Sequence, residues 1–128
     1  MSFSLDVGKW AEKAGEDAAE ANAAVLLSLF RGVIKDTPVL EGRLRGNWTA
    51  TKSKPSGATR KTPDPSGKAT TARAMNFVDR QDLGEDFNIY FTNNLPYAHR
   101  IEYDGWSHTK APAGMVRKNL IRIASKIQ

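Results

Sequence analysis

Apolar side chains recur at steps of three and four along the first third of the chain: Val7, Trp10 or Ala11, Ala14, Ala18, Ala21, Val25, Leu29 and Val33. That is the helical period, and it predicts one long helix over residues 5–36. Ser4 is placed to cap it and Asp6 adds an acid to its first turn. The alanine-rich first half is amphipathic, whereas "AAVLLSLF" in the second half is apolar nearly all round, which implies deeper burial. "DTP" at 36–38 stops the helix, because the residue before a proline is pushed out of the helical region.

The pattern then changes. In "TPVLEGRLRGNWTAT", Leu44, Trp48 and Ala50 are set among polar residues as in a strand, which predicts a strand over 44–52. "KSKPSGATRKTPDPSGKATT" holds three prolines and two glycines and no large apolar residue, so the reading is a long loop over 52–73. Ala72, Met75 and Val78 suggest a short helix, and Phe87, Ile89 and Phe91 alternate with Asn88, Tyr90 and Thr92 as a second strand. A turn of helix ending near Gly105 and a last helix from Pro112 through Ile127 complete the order. The fold class expected is α+β: a long N-terminal helix and a C-terminal helix packed on a small antiparallel sheet, as one domain over 1–128 without internal repeats.

Composition narrows the function. With 26% charged and 40% hydrophobic residues the chain has the make-up of an ordinary soluble domain. Its longest apolar run is far short of the roughly 20 residues a membrane-spanning helix needs, and no basic segment followed by an apolar one opens the chain as in a signal peptide. Cytosolic synthesis is therefore expected. The absence of cysteine excludes disulfides and thiolate metal sites.

The net charge of +5 is unevenly spread. Lys52, Lys54, Arg60, Lys61, Lys68 and Arg73 face only one acid, Asp64, in the loop, and Lys110, Arg117, Lys118, Arg122 and Lys126 face none near the C-terminus. The stretch between them is acidic. Such segregation suits either a polyanion or head-to-tail contacts between subunits.

The segment "YAHRIEYDGWSHTKAPAGMVRKN" gathers Tyr97, His99, Tyr103, Trp106 and His108, and looks at first like catalytic equipment. Ser107 and His108 are adjacent, and adjacent side chains diverge; no third group orients a base and no G-x-S-x-G turn accompanies them. His99 and Glu102 could share a metal at i, i+3 spacing, but no third ligand accompanies them. The carboxylate pairs Asp79 with Asp82 and Glu85 with Asp86 sit in a polar stretch and read as solvated surface. No phosphate loop or dinucleotide fingerprint is present. The expectation is no enzyme activity, no cofactor and no metal.

Two segments resemble the HK97 gp10-like family of tailed-phage tail-completion, or head–tail joining, proteins. "TPVLEGRLRGNW" is similar to that family's TP-x-x-T-G-x-L-R-x-S/W segment through Pro38, Gly42, Leu44, Arg45 and Trp48. "NNLPYAHRIEYDGWSHTKAPAGMVRKNL" is similar to its N-x-x-x-Y-A-x-x-x-E-x-G-x-S-x-x-x-P-x-G-M-x-R segment, with Asn93, Tyr97, Glu102, Gly114, Met115 and Arg117 among the matches. Glu41 departs from the family's usual threonine or serine, and Asp104 is an extra residue before Gly105.

The resemblance implies a tail-terminator-like α+β fold and a structural role in the virion neck: a homo-oligomeric ring, sixfold, around the DNA channel. The chain would be made in the bacterial host cytoplasm and would contact adjacent neck or connector proteins and tail-terminator or tail-tube proteins, with no membrane partner. On this reading Tyr97, His99, Glu102, Tyr103, Trp106 and Arg117 form a subunit or partner interface. Lys52, Lys54, Arg60, Lys61, Lys68 and Arg73 meet a partner protein or the DNA in the channel. The loop is expected to be disordered in the free subunit and to order on assembly, with a protein partner favoured. The competing expectation is a non-specific nucleic-acid-binding protein that uses the 52–73 loop on phosphates.

Overall fold

A computed structural model describes residues 18–39, 42–84, 87–96, 98–104 and 114–127. Its elements in chain order are α1 (Ala18–Asp36), α2 (Arg43–Gly46), β1 (Thr49–Lys52), α3 (Lys68–Asp79), β2 (Ile89–Thr92), α4 (Ala98–Asp104) and α5 (Val116–Ile127). The two strands form an antiparallel pair with Thr49 opposite Thr92 and Lys52 opposite Ile89. The fold is a small α+β one, as expected.

α1 is the spine. Ala21, Val25, Leu29 and Val33 are buried at four-residue steps, and Asn22, Leu26, Phe30 and Ile34 widen the buried stripe on one side. α3 and α5 both pack on it. Polar contacts fix α5 in place: Arg122 donates to the Ser28 hydroxyl at 3.0 Å and to the Ser28 carbonyl at 2.9 Å, and Asn119 donates to the Asp36 carboxylate at 3.0 Å. The helix ends at Asp36, just ahead of Pro38; its expected first residues, 5–17, lie outside the described residues. No helix among the described residues is long and apolar enough to cross a membrane.

The sheet joins this helical body through aromatic rings. Phe91 of β2 lies between Phe30 of α1, with ring centroids 4.1 Å apart, and Trp48, at 5.0 Å. The Trp48 indole N–H is buried and donates to the Thr37 hydroxyl at 2.8 Å, and that hydroxyl donates to the Val33 carbonyl at 2.6 Å. One apolar stack and one hydrogen-bond relay thus tie the end of α1 to both strands.

The expected strand over 44–52 is corrected at its start. Arg43–Gly46 is a helical turn, closed by the Gly46 amide on the Gly42 carbonyl at 3.0 Å, and pairing begins only at Thr49. Gly42 enters the turn at φ 89°, and a Cβ there would meet the Pro65 backbone nitrogen at 2.4 Å. Leu44 and Trp48 are four residues apart, so they share a helical face as readily as a strand face. The loop also ends earlier than expected: residues 68–73 are the first turns of α3.

Candidate functional site

The densest set of polar contacts lies where α4 meets α5. α4 turns Ala98, Ile101 and Glu102 inward, and Glu102 is 0% exposed. A buried carboxylate is tolerable only when its charge and lone pairs are answered. Here its oxygens accept the backbone N–H groups of Met115, Val116 (2.8 Å) and Arg117 (2.8 Å), which are the otherwise unpaired donors at the start of α5. The Arg117 Nε donates to the same carboxylate at 3.1 Å, and its terminal nitrogen donates to the Glu102 carbonyl. Glu102 therefore caps α5 from another helix, with the dipole and the guanidinium both favouring its charge.

Outside this anchor is a small exposed stack. The His99 and Tyr103 rings, one helical turn apart, have centroids 4.6 Å apart, and the Arg117 guanidinium lies 5.0 Å over the Tyr103 ring. Tyr103 is 46% exposed, one of two large hydrophobic side chains exposed among the described residues. Four of the six expected interface residues thus meet at the α4–α5 junction. Glu102 is corrected within that set: it faces inward and organises the surface without belonging to it. Tyr97 and Trp106 lie outside the described residues, as do Ser107 and His108.

The same geometry closes the metal reading of His99 with Glu102, since the carboxylate is spent on α5 and the imidazole stacks outward. No group of three or more His, Asp and Glu that could hold a metal occurs among the described residues.

The basic residues of 52–73 fall into two kinds. Lys52, Lys54, Arg60, Lys61 and Lys68 are exposed. Arg73 is half-buried in α3 and donates to the Gly46 carbonyl at 2.9 Å.

Composition alone gave the loop nothing to hold it, but the structure supplies polar anchors. The buried Asn47 side chain donates to the Arg60 carbonyl at 2.9 Å and accepts the Arg60 amide at 2.7 Å. Asn94 donates to the carbonyls of Ser56 (2.6 Å) and Ala58 (3.1 Å), and Arg45 donates to those of Pro65 (2.6 Å), Thr37 (2.8 Å) and Lys35 (2.9 Å). Burial lowers the Arg45 pKa, partly offset by the charges of Asp64 and Asp36. Asp64 in turn caps α3, accepting the Thr70 amide at 2.8 Å and hydroxyl at 2.6 Å.

Sequence reasoning missed Asn47, Asn94 and Asp64 as anchors. The available signal was their residue type, since amides and carboxylates beside a structureless stretch are the groups able to answer its unpaired backbone.

One apolar groove of about 150 Å³ lies between α1, β2 and α5, lined by Leu26, Phe30, Ile89, Phe91, Val116 and Leu120 among others. Comparison with protein-family models, curated proteins and solved structures finds no match to the chain.

Proposed function

We propose that this chain is a non-enzymatic structural subunit of a tailed-phage neck, of the HK97 gp10-like kind. It completes the tail and joins it to the head as a homo-oligomeric ring around the DNA channel. The observation that carries this reading is the placement of the residues behind the resemblance. In the first segment Gly42 makes the entry to α2, Leu44 is buried, Arg45 gathers three carbonyls, and Trp48 closes the aromatic stack. In the second, Glu102, Gly114, Met115 and Arg117 build one anchor. Asn93 links the two segments by donating to the Leu44 carbonyl at 2.8 Å.

These side chains hold backbone to backbone and leave no reacting centre among them. Two distant segments that converge as the structural nodes of one fold are what a shared architecture would leave. The exposed His99–Tyr103–Arg117 stack is of the residue types enriched at subunit contacts, and it sits on the Glu102 anchor. The unlike charges of different segments suit heterologous contacts, which close into rings when the rotation closes.

Counting copies by quantitative mass spectrometry of purified particles tests the reading. A ring predicts several copies per particle, in a multiple of six, and disruption of the gene should leave DNA-filled heads without joined tails. A single copy per particle, or none, sinks the proposal.

A further inference from the structure

A second cavity, of about 320 Å³, opens between β1 and α3, away from the α4–α5 junction. Trp48 and Phe77 give it apolar walls, and its charged lining is wholly cationic: Arg60, Arg73 and Arg80, with the Asn76 amide beside them. Arg73 and Arg80 are seven residues apart, two turns along one face of a helix whose last turn is followed directly by Arg80. Arg60 comes from the loop, where the Asn47 side chain fixes its backbone on both the N–H and the C=O side.

The guanidinium groups have donors to spare. Arg73 uses a single terminal nitrogen on the Gly46 carbonyl and the Thr70 hydroxyl. The side chains of Arg60 and Arg80 have no hydrogen-bond or ion-pair partner among the described residues. The nearby acids answer this charge only in part: the Asp64 carboxylate is also taken by Thr70, and Asp79 makes no ion pair among the described residues. Burial first, and then the like charge of Arg60, lower the Arg73 pKa, offset only in part by Asp64. Like charges gathered beside an apolar wall carry an electrostatic cost that a bound anion would relieve.

We propose that this cavity is a phosphate-binding site, in which the Arg60, Arg73 and Arg80 guanidinium groups hold the oxygens of one phosphate group. A phosphate suits three forks better than a carboxylate does, because it offers more acceptor oxygens and takes parallel N–H bonds from arginine. The exposed Lys52, Lys54 and Lys61 can supply only diffuse attraction, so the cavity and not the loop's overall charge is the recognising element. The inference stands on this cavity and holds whether or not the chain assembles as a ring. Nucleic-acid backbone and free phosphate offer the same chemistry.

The test titrates the full chain with inorganic phosphate and, separately, with a short labelled DNA duplex at fixed salt. Two double variants remove equal charge: R60Q/R80Q inside the cavity and K54Q/K61Q outside it. The four side chains make no hydrogen bonds among the described residues, and unchanged melting temperatures would establish that each variant folds. R60Q/R80Q should weaken binding by about tenfold or more, and K54Q/K61Q far less, because only the former removes charge-assisted bonds. Loss confined to inorganic phosphate assigns free phosphate as the source; loss on the duplex assigns a backbone phosphate. No binding of either ligand by the parent chain, unchanged affinity in R60Q/R80Q, or equal loss in both double variants overturns the proposal.

Discussion

The Glu102 carboxylate lies so close to Gly114 that a Cβ on the glycine would meet its Oε1 at 2.7 Å, and the Glu102 carbonyl oxygen at the same distance. Gly114 holds φ at 81°, in the left-handed region, and this lets Met115, Val116 and Arg117 aim their N–H groups back at one carboxylate. The start of α5, the burial of Glu102 and the position of Arg117 are thus one arrangement.

Disturbing either partner should therefore be costly. Gly114→Ala combines a left-handed alanine, about 1–2 kcal/mol by itself, with a clash against backbone. Glu102→Gln removes the charge and turns an N–H₂ toward backbone donors; breaking a buried pair in this way costs about 3–5 kcal/mol. Urea unfolding of both variants checks this. A loss of no more than about 0.5 kcal/mol in either, the range of an ordinary surface change, would mean the carboxylate does not hold α5.

Tyr103 gives the opposite expectation. Its ring is exposed and its contacts with His99 and Arg117 are worth about 0.5–1 kcal/mol at such a site. Tyr103→Ala should leave the melting temperature of the isolated chain nearly unchanged while reducing incorporation into particles, read by the copy number per virion. Normal incorporation would remove the stack from the proposed contact.

The relay from Trp48 through Thr37 to Val33 can be cut by Thr37→Val, which keeps the shape and removes the hydroxyl. The indole N–H is then buried without an acceptor, at a cost of about 1–3 kcal/mol. Trp48→Phe in the Thr37→Val background should cost less than the two single changes added together, because the orphaned donor is gone. Strict additivity would show that the hydrogen bond carries none of the effect.

Asp64 sets an acid limit on α3. Burial alone would raise its pKa, but hydrogen bonds from the Thr70 hydroxyl and the Thr70 and Ala69 amides, with the charge of Arg73, outweigh it and hold the carboxyl below its ordinary value. A carboxyl depressed in the folded state contributes stability that is complete above its unfolded pKa and is lost as pH falls through the folded one. Asp64→Asn should cost about 1 kcal/mol at neutral pH, as for a lost helix cap. The gap between variant and parent should narrow below about pH 4, where the unfolded-state carboxyl protonates. A pH-independent gap would place the effect elsewhere.

What could be read from the chain follows from what carries the signal. α1, α3, β2 and α5 were legible because their apolar positions repeat, and the repeat is the signature of a buried face; the last helix, expected from Pro112, starts only at Val116, after the left-handed Gly114. The strand expected over 44–52 began too early because Leu44 and Trp48 fit either period, and only the left-handed turn at Gly42 decides between them. His99, Tyr103 and Arg117 could be named as a cluster, but periodicity cannot say which member faces inward. Glu102 proved to be the buried one because the amides of α5, distant in sequence, come to meet it. The arginine cavity is invisible for the same reason: Arg80 lies in an acidic stretch of the sequence, and only folding brings it beside Arg60.

Residues 53–67 pose the sharpest remaining question, because composition and structure point in different directions. Without large apolar residues the segment cannot offset its own ordering entropy by burial. The structure shows another means: backbone groups bonded to side chains and carbonyls of the body, with Arg60 on Asn47, Ser56 and Ala58 on Asn94, and the Asp64 amide on the Gly42 carbonyl at 2.9 Å. Each such bond nets only about 1 kcal/mol, so the anchored state should be shallow and dependent on every member. Hydrogen exchange on the isolated chain should show the Arg60 and Asp64 amides slowed while that of Lys61, between them, exchanges freely. Asn47→Ala removes both bonds to Arg60 and should release the Arg60 amide to free exchange without altering the protection of α1 or β2. Neutralising Lys52, Lys54, Arg60 and Lys61 together, which touches none of the anchors, should leave the exchange pattern in place and reduce incorporation into particles. Free exchange at Arg60 and Asp64 in the parent chain would mean that composition decides the matter and that the loop orders only against a partner.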